Sequence, residues 1–150
     1  MKPTKIIVFG FPHCGTTILK NIIGHIDNVE EIIKEKIIIL DTDRKTDKKY
    51  ILCKHPFFGD SNHFFTDKYK DYIKIFIIRD PMWVFSSLNK RCSYKIPANH
   101  SIERYIKTCQ YFIKYSETPI ENLYLLRYED MFDENGNYIT MKTLCMIKSE

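Results

Sequence analysis

The chain is 150 residues long, with 44% apolar, 14% aromatic and 28% charged residues. That is the length of one domain with enough apolar surface for a core, which excludes disorder, collagen-like sequence and low-complexity linker. Lys and Arg outnumber Asp and Glu by 23 to 19, a formal net charge of +4; the excess is spread along the chain and lacks the dense basic stripe of a nucleic-acid binder.

Taken in chain order, short apolar runs alternate with longer amphipathic stretches, which predicts an α/β domain with a mainly parallel sheet. Lys5 to Phe9 is a continuous apolar strand of the kind buried on both faces. Gly10 to Gly15 is a loop, and Thr16 to about Ile26 has helical spacing at Ile18, Leu19, Ile22, Ile23 and Ile26. Ile37 to Leu40 is the second strand, ended by the polar turn Asp41-Thr42-Asp43. Tyr50 to Lys54 is the third, stopped by His55-Pro56. Residues 61–72 are aromatic and charged and read as helical. Lys74 to Arg79 is the clearest later strand, and Asp80-Pro81 opens a helix with Pro in its first turn. Ser101 to about Tyr115 is a further helix, with Ile102, Tyr105, Ile106, Cys109, Phe112 and Ile113 on one face. Leu123 to Arg127 is a last strand, and the tail holds a turn at Asn135-Gly136 and one more helix.

The five cysteines (Cys14, Cys53, Cys92, Cys109 and Cys145) form no CxxC pair and no Cys/His cluster of zinc spacing. We expect no disulfide framework, no metal and a reducing compartment. The apolar stretch after Met1-Lys2-Pro3-Thr4-Lys5 breaks at Gly10, too short for a leader. No run approaches the roughly 20 apolar residues of a membrane helix. The expectation is a soluble, cytoplasmic protein.

Three segments carry chemistry. Gly10-Phe11-Pro12-His13-Cys14-Gly15-Thr16-Thr17 lies between the first strand and its helix. There, backbone N–H groups and the positive helix end face an anion. Gly15 permits close approach, and Thr16 and Thr17 add hydroxyls. The Gly10-x₄-Gly15 spacing is that of a Walker A loop, but Thr16 stands where the Walker lysine belongs. The loop therefore points to phosphate binding without the usual ATP chemistry; the plainer reading is a structural turn. Arg79 ends an apolar strand, where open α/β sheets bind ligands. Ser87, eight residues later, falls about two turns into the next helix. An Arg plus a hydroxyl makes a phosphate clamp. The third segment is Leu125-Leu126-Arg127-Tyr128-Glu129-Asp130-Met131, again at a strand end.

Together and in order, these segments resemble the sulfotransferases that use 3′-phosphoadenylyl sulfate (PAPS). The family carries a G-x-P-[KR]-[SC]-G-T-T loop, an R-[DN]-P with Ser eight residues after the Arg, and a late [RK]-Y-E-D-[LM] strand end. The resemblance implies a three-layer P-loop kinase-like α/β/α sandwich and a single sulfotransferase-like domain over residues 1–150. It implies that His13, Cys14, Gly15, Thr16 and Thr17 hold the 5′-phosphosulfate, that Arg79 and Ser87 bind the 3′-phosphate, and that Tyr128 lies near the adenine. It implies in-line sulfonate transfer to a hydroxyl or amine of a small-molecule or carbohydrate acceptor, with adenosine 3′,5′-bisphosphate (PAP) leaving and no metal required. The implied catalytic set is His55 as general base, with Lys54 at the sulfonate and His13 in the loop. His25 and His63 read as surface or boundary residues, and His100 as a helix-start residue. Two departures stand out. His13 replaces the family's loop Lys or Arg. The chain is also short: family members continue past the Tyr-Glu-Asp strand to a basic Arg-Lys-Gly type loop, and residues 132–150 contain none. Two alternatives follow, a PAP-binding protein without turnover and a small P-loop kinase; Asp41 after Ile37 to Leu40 mimics the kinase's Walker B strand.

Overall fold

A computed structural model of the chain describes residues 2–32, 45–93 and 95–136. Its strands are β1 (Thr4–Gly10), β2 (Val29–Glu31), β3 (Tyr50–Pro56), β4 (Ile73–Ile78) and β5 (Leu123–Arg127). Its helices are α1 (Thr16–Gly24), α2 (Pro81–Cys92) and α3 (Ile102–Glu117). The strands form one parallel sheet in the order β2-β3-β1-β4-β5. β1 is central because its side chains are apolar on both faces. Ile6, Ile7, Val8 and Phe9 have no exposed surface. Strand alternation sends Ile6 and Val8 to one core, with Leu19 and Ile23 of α1 and Val84 and Leu88 of α2. It sends Ile7 and Phe9 to the other, with Phe57, Phe64 and Phe76. α3 gives Tyr105 to the first core and packs Tyr111 and Phe112 on the second. The three-layer α/β/α architecture expected from the sequence is therefore present. In the second core, Phe9 stacks between Phe64 and Phe76 at centroid distances of 4.5 and 4.8 Å. Truncating such a ring to Ala costs about 3–5 kcal/mol.

The helix ends follow local chemistry. Asp80 caps α2 by accepting the Met82 N–H at 2.8 Å. Pro81 at the first helical position lacks only an N–H that would have had no partner. Ser101 caps α3 by accepting the Arg104 N–H at 3.3 Å. No side chain caps α1, which leaves the amides of its first turn to whatever meets them.

Several expectations are corrected. β3 does not stop at Lys54: it runs through His55 to Pro56, which pairs with Gly10. As the final residue, Pro56 removes little from the ladder, and Phe57 resumes it by donating to the Gly10 carbonyl at 2.8 Å. Residues 61–72 form two short 3-10 turns, His63–Phe65 and Asp67–Tyr69, not one helix. Ile102, Ile106 and Ile113 are 63%, 50% and 55% exposed. The buried stripe of α3 is Tyr105 and Thr108, whose hydroxyl donates to the Arg104 carbonyl at 2.9 Å. β2 was not foreseen. Its Glu31 meets the buried Lys20 of α1 at 2.6 Å, so an acidic strand is held at the sheet edge by an ion pair. The expected strand at Ile37 to Leu40, Asp41 and the expected tail helix lie outside the described residues.

Candidate functional site

β1 is the switch point of the sheet: its neighbours β3 and β4 lie on opposite sides, and the cleft beyond their carboxyl ends is where such folds bind ligands. Four chain segments meet there. The loop after β1 brings Pro12, His13, Gly15, Thr16 and Thr17; the end of β3 brings Lys54, Pro56 and Phe58; the end of β4 brings Arg79; α2 brings Ser87, Arg91 and Cys92. His100 closes the wall from the turn before α3. The cleft has a volume of about 710 Å³. Its described lining holds Lys54, Arg79 and Arg91 and no carboxylate.

The loop is bent by two left-handed residues, His13 at φ 67° and Gly15 at φ 95°. Only glycine fits the second. A Cβ on Gly15 would stand 2.4 Å from Cδ2 of Tyr128. The His13 imidazole meets the Ser87 hydroxyl at 2.7 Å, and its carbonyl accepts from Arg79 at 3.3 Å. Burial, first, and then Arg91, His100 and Arg79 lower the His13 pKa, so the ring is neutral at pH 7. Lys54 donates to Thr17 Oγ1 at 2.7 Å. This bond joins β3 to the first turn of α1.

Arg79 is held from several sides. Its guanidinium lies 4.1 Å from the Tyr128 ring centre, a cation–π contact. Its carbonyl accepts the Tyr105 hydroxyl at 2.5 Å. The neighbouring Asp80 N–H donates to Glu129 Oε1 at 2.7 Å, so the Tyr-Glu-Asp segment braces both residues of the Arg-Asp step. Arg79 Nε is buried without a hydrogen-bond partner among the described residues. A buried donor left unmade is costly, and an anion in the cleft is the natural complement of the guanidinium.

The structure thus brings His13, Gly15, Thr16, Thr17, Lys54, Arg79 and Ser87 to one cleft. Three predicted site residues sit elsewhere. Cys14 is fully buried in the first core, burial pushes its thiol up to about 12, and its N–H donates to the Phe11 carbonyl at 3.1 Å. Cys14 therefore packs the loop and does not offer sulfur to a ligand. Tyr128 lies under Arg79 and against Gly15 and does not line the cleft. His55 is on the opposite face of β3 from Lys54, because successive strand residues alternate. Its ring packs on Phe64 at 5.6 Å and faces His63 at 6.4 Å, and its Nδ1 donates to the Pro56 carbonyl at 2.7 Å. The cleft-facing residue two positions from Lys54 is Pro56. Sequence reasoning missed Arg91 and His100 as site residues. Arg91 had a signal, since it stands one helical turn beyond Ser87 on the same face. His100 had none beyond its residue type.

Among the described residues no group of three or more His, Cys, Asp or Glu is placed to hold a metal ion, and no helix is long and apolar enough to cross a membrane. No family model and no curated protein matches the chain. Among solved structures it is similar to the mouse sulfotransferase SULT7A1 complexed with PAP, with a TM-score of 0.62 at 16% identity. The match covers 97% of this chain and 57% of that one, so the chain spans little more than half the length of that protein. The chain has a sulfotransferase-like α/β fold built on a parallel sheet.

Proposed function

We propose that this chain binds PAPS in the cleft at the end of β1 and transfers its sulfonate to a hydroxyl or amine of a small-molecule or carbohydrate acceptor. One observation carries the proposal: three cations from three different elements line one cleft with the uncapped first turn of α1, and among the described residues no carboxylate joins them. Such a surface suits a polyanion of two separated phosphate groups. The likeness of fold to a PAP-bound sulfotransferase supports that choice of polyanion.

On this reading the backbone of His13, Gly15, Thr16 and Thr17 and the Thr16 and Thr17 hydroxyls take the 5′-phosphosulfate. Arg79 and Ser87 take the 3′-phosphate, and Tyr128 serves by fixing the Arg79 guanidinium. Lys54 faces the sulfonate and, with the helix end, stabilises charge that grows on the departing phosphate. The acceptor oxygen or nitrogen attacks sulfur in line, and PAP leaves with the electron pair of the broken S–O bond.

A specific observation favours a second reading, a nucleotide binder without turnover. The loop position next to the leaving phosphate is a neutral imidazole already bonded to Ser87. A thermal-shift titration with PAP, and with ATP plus Mg²⁺ beside it, tests both readings against a kinase. A ligand at a hundred times its Kd adds about 2.7 kcal/mol of stability. PAP is expected to stabilise the wild type and not Arg79→Ala, and ATP with Mg²⁺ is expected to do neither. Turnover of PAPS with an acceptor then separates enzyme from binder. Stabilisation by ATP and Mg²⁺ alone would refute the proposal.

A further inference from the structure

Three histidines stand near the cleft region, and their surroundings differ. His55 has a ring nitrogen left over after its bond to Pro56, but it sits across β3 among His63 and Phe64. His13 lines the cleft, but its Nδ1 is engaged with the Ser87 hydroxyl. His100 also lines the cleft. It ends the 3-10 turn Ala98–His100, directly before the Ser101 cap of α3. The Pro97 carbonyl accepts its N–H at 2.9 Å. Its ring meets Phe58 at 5.4 Å and Phe11 at 6.2 Å, both near edge-on, so the imidazole plane is fixed by packing. Its Nδ1 lies 2.6 Å from Asn99 Oδ1. An amide oxygen only accepts, so Nδ1 carries the hydrogen and Nε2 keeps a lone pair. No described residue bonds Nε2.

We propose that His100, rather than His55, is the general base of the sulfonate transfer, taking the acceptor's proton at Nε2. The assignment rests on the sulfotransferase reading above. The acceptor enters beside Pro56 and Phe58, the apolar part of the wall that His100 completes. Its O–H proton passes to His100 Nε2 as the O–S bond forms. The S–O bond to the phosphate breaks, its electron pair leaves with PAP, and His100 becomes an imidazolium. Asn99 Oδ1 holds the other N–H through this change and favours the cation, as an orienting acceptor does for a catalytic imidazole. The titratable and charged groups that share the cleft with the ring are His13 of the loop, Lys54 of β3, Arg79 after β4 and Arg91 of α2, all basic; of these, His13 is close enough for the two rings to feel each other's charge. Burial lowers the His100 pKa from its ordinary value. The ring therefore enters the reaction neutral at pH 7, the form a base requires.

The test compares wild type, His100→Gln, His100→Asn and His55→Gln, with PAP binding followed by thermal shift and transfer from PAPS followed on two phenols. One is 2-naphthol, protonated at neutral pH; the other is 4-nitrophenol, far more acidic, ionised there in substantial part and so less in need of a base. Both His100 variants are expected to keep the PAP shift, to lose about 100-fold or more in kcat on 2-naphthol, and to lose far less on 4-nitrophenol. A structural role for His100 would lower both acceptors alike. Transfer to 2-naphthol that survives His100→Gln and falls in His55→Gln overturns the assignment and leaves the sulfotransferase reading intact. A PAP shift in the wild type with no transfer to either phenol also overturns it. No PAP shift in the wild type overturns the reading on which it rests.

Discussion

The contact between Gly15 and Tyr128 makes a sharp prediction about the loop. Replacing Gly15 by Ala puts a Cβ 2.4 Å from Cδ2 and 2.7 Å from Cε2 of Tyr128, where carbon atoms ordinarily sit about 3.5–4.0 Å apart. The ring must shift by about 1 Å, yet it is stacked on Arg79 at 4.1 Å and packed on Phe132 at 5.2 Å. Overpacking of this kind costs about 1–3 kcal/mol. The left-handed backbone at φ 95° costs an Ala about 1–2 kcal/mol more, and the stiffer unfolded chain returns about 0.4–1 kcal/mol. Gly15→Ala is therefore expected to destabilise the protein by about 2–4 kcal/mol, a fall in Tm of roughly 5–15 °C at this size. Tyr128→Ala removes the obstructing ring. In that background the same glycine change should cost only its backbone part, about 1 kcal/mol. Urea unfolding of the four proteins of the cycle measures the difference, with constant m-values as the check on two-state behaviour. A coupling of about 1–3 kcal/mol is expected. Additivity within about 0.5 kcal/mol would refute the argument that Tyr128 sets the approach at Gly15.

Two further predictions concern charge. Burial, then Arg91, His100 and Arg79, depress the His13 pKa, and a bound polyanion opposes the part owed to the cations; by linkage PAP affinity should strengthen as pH falls from about 8 towards the ordinary imidazole range, above the pH of about 6 at which the phosphates themselves take up protons. Isothermal titration across about pH 6.5–8 checks this, and His13→Lys should tighten binding and flatten the profile (a steep profile in the lysine variant would contradict the assignment). Lys74 is buried in β4 with its ammonium donating to the Tyr69 carbonyl at 2.7 Å, and burial lowers its pKa although Asp71 and Glu121 oppose the shift. Between its folded value and 10.5 the unfolded chain holds the extra proton, so stability from this group rises with pH through that window. Lys74→Met should remove that rise and be neutral to about 2 kcal/mol stabilising at pH 7; a loss above about 1 kcal/mol in urea would show that the ammonium's hydrogen bond outweighs its desolvation.

The parts of the fold that the sequence announces are those in which one local pattern has one physical meaning. Ile6 to Phe9 is apolar at every position, and only a strand covered on both faces buries all of it. Asp80-Pro81 and Ser101 state helix starts through a cap or a fixed φ. Elsewhere the local pattern is outvoted. Val29–Glu31 carries two carboxylates, and it becomes a strand through its ladder with β3, buried Val29 and the pairing of Glu31 with the buried Lys20 on α1. The isoleucines of α3 satisfy a helical period, yet the helix turns Tyr105 and Thr108 inward because their hydroxyls reach the Arg79 and Arg104 carbonyls. The loop, Arg79 and Ser87, which meet in one cleft, stand out in the sequence because each combines a residue type with a strand or helix end. His55 does not line that cleft because one residue of register along β3 decides which face a side chain serves. Placing Lys54 and His55 side by side in sequence separates them in space.

That register also explains how a loop without its lysine keeps a strongly electropositive cleft. Lys54 stands opposite Val8 in the β1–β3 ladder, and Arg79 follows β4 directly. Arg91 lies one turn beyond Ser87 on α2. The backbone position of each is set by the sheet or by a helix packed on it, and the loop region then holds two of the side chains, Arg79 through the His13 carbonyl and Lys54 through Thr17. At an effective dielectric of about 20, one cation about 4 Å from a phosphate contributes on the order of 4 kcal/mol. Three such positions can outweigh one neutral imidazole in the loop. On the proposed reading, the burden of holding phosphate moves from local sequence to strand pairing. For the proposed nucleotide, substitutions that disturb the β1–β3 ladder should therefore weaken PAP binding even where they touch nothing in the cleft. Changes in the loop that preserve φ at His13 and Gly15 should weaken it much less.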